Sequence, residues 1–188
     1  MGPSFPEVLT AAQLGADWAW AALYRSIAGP LNGYVRAHGA TDPEAVVGDV
    51  FLSLARGIAA FTGDEAGFRS WAFVVAHRRV IDDRRRRRLR PQHEVSSFRD
   101  HADPPGGDVE EEAIARLTEI EALALLENLT ALQRDVLLLR FVADLSIEDV
   151  ARALGRPITA VKAAQRRAIS SIRRRAEGQG YPGPTSER

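Results

Sequence analysis

Two cationic stretches carry the side chains best suited to binding another molecule. Between Arg156 and Arg175 the chain has seven Lys or Arg residues and no acid, and between His77 and Arg90 it has eight Arg residues against two Asp. Residues 100–112, which lie between these stretches, hold six acids and no Lys or Arg. Because clustered cations attract phosphate groups, this pattern favours two contact points on one nucleic acid.

The C-terminal cationic stretch divides into two faces when it is drawn as a helix of about 100° per residue. One face is predicted to be buried and holds Val161, Ala164, Gln165, Ala168 and Ile172. The other face, with the turn before it, is predicted to bind DNA through Arg156, Lys162, Ala163, Arg166, Arg167, Ser170 and Arg173. Small residues at its centre allow base edges to come close, while flanking cations reach phosphates or guanines.

A short helix and a tight turn precede this cationic helix. Ser146 and Asp149 form a capping pair at the start of the short helix, and Gly155 with Pro157 ends it. Thr159 is the expected cap of the helix that follows. Two helices joined in this way are typical of a helix-turn-helix whose second helix enters a major groove. The alternative is a solvated basic face on an ordinary three-helix core.

The other cationic stretch ends a predicted helix that opens with aromatic residues. Helical rhythm begins at Phe68 and runs through Leu89, and a polar loop over residues 61–67 precedes it. Rings stack on unpaired bases while arginines hold the backbone, so this surface suits single-stranded nucleic acid. The candidate contacts are Phe61, Thr62, Phe68, Trp71, Arg78, Arg79, Arg84 and Arg85. The alternative is that the rings fill the core.

The remaining periodic segments predict helices, and none shows strand alternation. Gly29-Pro30 is expected to bend or split a helix over residues 17–37, and Asp42-Pro43 is expected to start the next, which contains Gly48. The fold class is therefore all-α, with two small helical domains over residues 1–90 and 113–177. A flexible acidic linker rich in Pro and Gly, residues 91–112, joins them, and residues 178–188 are predicted to be a disordered tail.

Composition argues against several classes of function. The chain has no cysteine, which excludes disulfides and thiolate metal sites. It has no run of eighteen apolar residues and no basic start followed by an apolar run, so neither a membrane span nor secretion is expected. The expected location is the cytoplasm.

Catalysis is not predicted either. His77, Asp82 and Asp83 are the candidate residues of a metal-dependent nuclease, but their spacing provides no convergent ligand set. The other histidines, at positions 38, 93 and 101, fall in predicted turns or the linker and lack metal-ligand spacing. We therefore predict a binding protein without a metal, a cofactor or enzymatic activity.

Three sequence blocks, in this order, resemble the bacterial extracytoplasmic-function RNA polymerase sigma factors of the minimal two-domain type. They are Val50-Phe51-Leu52, then Phe68-Arg69-Ser70-Trp71 with Ala76-His77-Arg78 and the arginine run, then residues 129–140 leading into the helix-turn-helix. Together with the linker they cover nearly the whole chain. The chain departs from the usual family pattern at Ala45-Val-Val-Gly-Asp49, at Arg78 and at Ala163-Ala164-Gln165.

The resemblance implies a subunit that gives RNA polymerase its promoter specificity. The N-terminal domain would bind the clamp helices of the largest polymerase subunit and read and open the −10 promoter element, and the C-terminal domain would read the −35 element and touch the flap of the second subunit. The implied polymerase-binding residues are Glu44, Asp49, Phe51 and Leu52. An anti-sigma factor is a further expected partner. The alternative is an autonomous helix-turn-helix regulator, which would bind palindromic DNA as a dimer.

Overall fold

The computed structural model describes residues 2–89, 124–126 and 128–178, and in this part of the chain every regular element is helical. The helices are α1 (Phe5–Gln13), α2 (Asp17–Ala37), α3 (Pro43–Gly57), α4 (Glu65–Leu89), α5 (Ala131–Phe141), α6 (Ile147–Leu154) and α7 (Ile158–Gly178), and a 3₁₀ turn (Ile58–Ala60) follows α3. The predicted all-α class is confirmed. The predicted linker, residues 91–112, and nearly all of the predicted tail lie outside the described residues, so the domain boundaries stay predictions.

Three helices begin directly after a residue whose side chain caps them. Asp42 accepts a hydrogen bond of 2.9 Å from a backbone N–H in the first turn of α3. Thr130 and Gln133 exchange the two hydrogen bonds of a capping box at the start of α5. At α6, the Asp149 N–H donates to Ser146 Oγ over 3.0 Å. These side chains satisfy N–H groups that have no partner within the helix, which is why the sequence locates the starts.

Two other helix starts differ from the prediction because other groups supply the cap. Helix α4 begins three residues before Phe68, since Asp64 accepts a 2.8 Å hydrogen bond from the Gly67 N–H. Helix α7 begins before Thr159, since the backbone carbonyl of Pro157 accepts the first helical hydrogen bonds. Thr159 is therefore inside the first turn and is not the cap.

Helix α2 is one continuous helix, so of the two predicted effects of Gly29-Pro30, a bend or a split, the split does not occur. Buried residues lie on both sides of Pro30, with Leu23 and Ile27 before it and Leu31 after it. Packing of this stripe against neighbouring helices holds the two halves in line despite the hydrogen bond that proline removes. Helix α1 was not predicted, although Ser4 and Glu7 form a capping box at its start.

The helices form two groups, which we call the N-terminal module (α1–α4) and the C-terminal module (α5–α7). Tyr34, Phe68 and Phe73 are the largest fully buried side chains of the N-terminal module. Its core is continuous with that of the C-terminal module, because α2 contacts α5 and α4 contacts α6. The two modules are thus packed against each other. Among the helices of the described residues, none is long and apolar enough to cross a membrane.

Candidate nucleic-acid interface

Helix α7 presents the cationic face that the sequence predicts. Val161, Ala164 and Ala168 are fully buried, with Gln165 and Ile172 half-buried beside them. The predicted DNA-contacting side chains of Arg156, Lys162, Arg166, Arg167, Ser170 and Arg173 are exposed, and Ala163 is half-buried at the edge of the face. The predicted division into a buried and an exposed face is confirmed. DNA contact by the exposed residues stays a prediction.

Neighbouring groups fix the position and charge of this face. Helices α5 and α6 pack against α7, and Gly155 adopts the left-handed conformation, φ 59°, that the tight turn between α6 and α7 requires. Arg152 pairs with Asp149 over 2.7 Å, which neutralises an acid on the preceding helix. Arg174 donates a 3.0 Å hydrogen bond to Ser170 Oγ at the centre of the exposed face. The face is therefore positioned by the packing of α5 and α6 and by the turn, and it carries positive charge.

Ile169 also lies on this face, although it is not among the predicted contacts. Ile169 is 37% exposed, and it follows Lys162 by seven residues, which places both side chains on the same side of the helix. An exposed apolar side chain among cations can contact the methyl group of thymine. The sequence feature that indicates this exposure is the position of Ile169 on the helical wheel, on the same side as Lys162.

A stacked pair of rings lies at the start of α4. Phe61 and Trp71 are nearly parallel, at 9°, with centroids 5.2 Å apart, and both are half-buried. Phe68 meets both rings edge-on, with centroids at 5.9 and 6.1 Å, and is only 1% exposed. Phe68 is therefore not available to a base, and its assignment to the DNA contacts is corrected. It supports the stacked pair from the core.

Two further contacts hold the loop that carries Phe61. Gln13 Nε2 donates to the carbonyl oxygens of Ile58 and Phe61, at 3.1 and 2.9 Å, so α1 fastens the loop. Trp71 lies against Gly57 so closely that a Cβ there would be 2.7 Å from its ring. The loop leaves Thr62 exposed beside the stacked pair.

The arginines of α4 point in different directions. Arg78 and Arg85 are exposed, and with Trp71 they recur every seven residues, so the three lie in a row about 21 Å long. Arg79 is half-buried and donates a 2.8 Å hydrogen bond to Ser53 Oγ. Arg84 is half-buried, and its charge acts on buried groups of the core. Of the four predicted cations, Arg78 and Arg85 are therefore exposed on this row, while Arg79 and Arg84 are half-buried against protein.

A separate surface, the α2–α3 surface, holds the implied polymerase-binding residues. Glu44 and Asp49 are exposed, Leu52 is 56% exposed, and Phe51 is half-buried and packs on Tyr24 with ring centroids 4.8 Å apart. Gly48 is exposed among them, and a Cβ added there would meet nothing within 4 Å. This surface thus combines apolar side chains, acids and a position without a side chain.

Two aromatic residues of α2 were missed as surface residues. Trp18 is 51% exposed and Tyr24 is 48% exposed. Trp18 belongs to the apolar rhythm from which the helix is predicted, whereas Tyr24 has no predicted role. The signal available for Tyr24 was its place off the stripe that Leu23 and Ile27 define.

A buried polar group lies where the two modules meet. His38 Nε2 is 2.8 Å from Asp135 Oδ1, and the Tyr34 hydroxyl is 2.8 Å from His77 Nδ1. Burial lowers the pKa of His77, with Asp135 opposing the shift and His38 and Arg84 adding to it. Burial and then Asp135 raise the pKa of Tyr34 well above its ordinary value, and Arg84 opposes this. No local sequence pattern predicts that these side chains converge.

Comparison with known proteins identifies related chains. Residues 19–90 match the family model of Sigma-70 region 2, and residues 119–172 match that of Sigma-70, region 4. Together the two matches cover well over half of the 188 residues. The modules that expose the ring-and-arginine row and the cationic face of α7 are the ones that these two models describe.

Two individual relatives are both named ECF RNA polymerase sigma factors. The chain is 26% identical over 170 residues to the ECF RNA polymerase sigma factor BldN of Streptomyces coelicolor, a match that spans 89% of this chain and 64% of BldN, less than two thirds of that relative. It is 27% identical over 130 residues to the ECF RNA polymerase sigma factor SigK of Mycobacterium tuberculosis, which spans 69% of this chain and 70% of SigK. The solved structure of CnrH in complex with the cytosolic domain of CnrY shares the fold, with a TM-score of 0.67 at 20% identity, over 94% of this chain and 99% of the other.

Proposed function

The chain belongs to the sigma-70 family, and we propose that it is an alternative sigma factor of the extracytoplasmic-function group. In this role it binds core RNA polymerase and directs transcription to promoters that its two modules read. The N-terminal module reads and opens the −10 element, and the C-terminal module reads the −35 element. The role is one of binding rather than catalysis, and it is performed in the cytoplasm, where the polymerase works.

The observation that supports this proposal is the presence, in one chain, of two surfaces whose chemistries suit two forms of nucleic acid. The cationic face of α7, with small residues at its centre, suits the major groove of a duplex. The stacked pair of Phe61 and Trp71, followed by Arg78 and Arg85, suits unpaired bases and their backbone. A factor that locates a duplex element and opens a neighbouring one needs both chemistries.

The α2–α3 surface is the proposed contact with core polymerase. Its exposed aromatic and aliphatic side chains with an acidic rim have the composition of a protein interface. We assign Glu44, Asp49, Phe51 and Leu52 to the clamp helices of the largest subunit, and the C-terminal module to the flap of the second. An anti-sigma factor that competes for these surfaces is part of the proposal, and the similarity to CnrH, solved with the cytosolic domain of CnrY, supports it.

Transcription with purified components tests the proposal. The chain is mixed with core polymerase and a library of genomic promoter fragments, and the transcripts are sequenced. We expect starts at a restricted set of promoters that share both elements and that core polymerase alone does not use. The double variant Lys162→Ala/Arg166→Ala should lose these starts and still bind polymerase. Arg152→Ala, which removes an exposed cation of the same module outside this face, is the matched control.

Two outcomes would overturn the assignment. One is that the folded, purified chain does not associate with core polymerase, even at a concentration about 10-fold above the one at which a known sigma factor binds it. Alternatively, the free chain could bind a palindromic duplex tightly and as a dimer, which would identify it as an autonomous helix-turn-helix regulator.

A further inference from the structure

The buried polar group between the modules has the composition of a metal site. His38 lies at the end of α2, His77 on α4 and Asp135 on α5, so both modules contribute. One ring nitrogen of each histidine and one carboxylate oxygen of Asp135 lie within 4.8 Å of one another. The side chain of His38 is 0% exposed and that of Asp135 is 11% exposed. Imidazole nitrogen and carboxylate oxygen are the donors that zinc takes in proteins.

The hydrogen bonds of His38 point independently to a cation at this place. Its Nδ1 is 2.8 Å from the carbonyl oxygen of Tyr34, and its Nε2 is 2.8 Å from the Asp135 carboxylate. Both neighbours are acceptors, and a neutral imidazole has only one N–H to donate. If Nδ1–H donates to the carbonyl, the lone pair of Nε2 faces the lone pairs of Asp135. At the observed 2.8 Å a proton between Nε2 and Oδ1 removes this conflict, and a metal ion removes it once the two atoms move about 0.5 Å apart.

A metal ion accounts for the second histidine as well. A proton joins only His38 and Asp135, whereas a metal ion also uses the nearby nitrogen of His77. Tyr34 orients both rings, because its carbonyl oxygen accepts from His38 and its hydroxyl is bonded to His77. Such outer partners fix the ring orientation of metal-binding histidines.

We propose that His38, His77 and Asp135 form a zinc site that joins the two modules of the chain. Tetrahedral Zn²⁺ with bonds of about 2.0–2.1 Å holds its ligand atoms about 3.3 Å apart, so His38 Nε2 and Asp135 Oδ1 must separate by about 0.5 Å from 2.8 Å, and the nitrogen of His77, within 4.8 Å of both, completes the set. Water takes the fourth position. Arg84 is the nearby positive charge that opposes the ion. Zinc is favoured over Mg²⁺ because two of the three donors are imidazoles.

The site has a regulatory consequence, which rests on the proposed sigma function. Elements at −10 and −35 are about 25 base pairs apart, or about 85 Å at about 3.4 Å per base pair. A compact chain of 188 residues has a radius of gyration of about 16 Å. The packed modules therefore cannot reach both elements, and they must separate. Zinc bound to ligands from both modules opposes that separation and lowers promoter-directed activity.

Zinc binding to the free, full-length chain is the first test. The chain is treated with a chelator, dialysed, and titrated with ZnCl₂ by calorimetry, with MgCl₂ in parallel. We expect one zinc ion per chain, no magnesium, and a rise in Tm of about 5–10 °C at a hundredfold excess over Kd. Asp135→Asn should weaken zinc binding at least tenfold, because removing a ligand costs no less than removing an outer partner.

Two ligand variants and one control variant distinguish loss of the zinc site from loss of the fold. The amide of Asp135→Asn can still donate to His38 Nε2, so the fold is kept, and a far-ultraviolet spectrum verifies this. His77→Gln is the second variant and should also lose zinc. His93→Gln, a histidine outside the group, is the matched control. The proposed site is wrong if the parent chain does not bind one zinc ion per chain. It is also wrong if Asp135→Asn and His77→Gln both bind zinc as tightly as the parent chain does.

The regulatory consequence needs a separate measurement. Because the chain has no cysteine, Arg25→Cys and Arg152→Cys, both exposed, allow dyes to be placed on the two modules. Core polymerase should lower energy transfer between the dyes, and zinc should reduce that change in the parent chain but not with Asp135→Asn. If the chain binds zinc but does not bind polymerase, the zinc site is supported and the proposed sigma function is wrong. If the chain binds polymerase but does not bind zinc, only the proposed zinc site is wrong.

Discussion

Replacing Gly48 by alanine should make the protein more stable and a weaker partner of core polymerase. Glycine inside a helix costs about 0.8–1.0 kcal/mol relative to alanine. A Cβ at Gly48 would meet nothing within 4 Å, so no steric cost offsets this gain. The free energy of unfolding should therefore rise by about 0.5–1 kcal/mol, which raises Tm by about 1–4 °C.

The loss of binding follows from the position of Gly48 between Glu44 and Leu52 on the α2–α3 surface. A missing side chain allows a partner helix to approach closely, and a methyl group there disturbs a packed contact by about 1–1.4 kcal/mol. The affinity for core polymerase should fall about five- to tenfold. Thermal unfolding followed by circular dichroism measures the first effect, and fluorescence anisotropy of the labelled chain titrated with polymerase measures the second.

Gly33→Ala is the matched control for this prediction. Gly33 is also exposed inside a helix, on the side of α2 opposite Tyr24, and its added Cβ would meet only Val142 Cγ1 at 3.9 Å. It should gain similar stability and keep its affinity for polymerase. If Gly48→Ala is stabilised and binds polymerase as well as the parent does, Gly48 is not at the contact. If it is destabilised, the reasoning about free space on α3 is wrong.

Four further predictions concern the nucleic-acid faces and the helix starts. Lys162→Ala/Arg166→Ala should lower the slope of log affinity against log salt for −35 duplex binding by about 1–2, and an unchanged slope would remove these residues from the DNA contact. Phe61→Ala should weaken binding of −10 single strands by about 1–3 kcal/mol with little change in Tm. Phe68→Ala should instead lower the free energy of unfolding by about 3–5 kcal/mol. If a binding and an unfolding experiment show the reverse pattern, the assignment of these rings is wrong. Gly57→Ala should displace Trp71, lowering stability by about 1–3 kcal/mol in chemical denaturation and shifting tryptophan fluorescence, and an unshifted spectrum would argue against the close contact. Thr130→Ala should cost about 1 kcal/mol of unfolding free energy through loss of the α5 cap, and no loss would show that Gln133 alone is sufficient.

The features that the sequence predicts correctly are those set by local spacing. The two faces of α7 follow from a period of 3.6 residues, and the starts of α3, α5 and α6 follow from side chains that bond backbone N–H groups within three residues. The chain carries these signals without reference to its tertiary structure.

The features that the sequence does not predict depend on tertiary packing. Helical spacing does not tell which of Phe61, Phe68 and Trp71 faces the core, and the structure buries Phe68 beneath the other two. Packing on both sides of Pro30 overrides the local tendency to break α2. The contact of His38 with Asp135 joins residues 97 positions apart, so no local pattern signals it.

The central claim is that the two modules contact two elements of one promoter, and only when polymerase is bound. Site-specific photocrosslinking measures this directly, with a photoreactive amino acid in place of Thr62 in one protein and of Ser170 in another. With core polymerase present, we expect Thr62 to crosslink at −10 and Ser170 at −35 of the same fragment, and without polymerase neither crosslink should form. Crosslinks of equal strength without polymerase, or from both positions to a single element, would contradict the account.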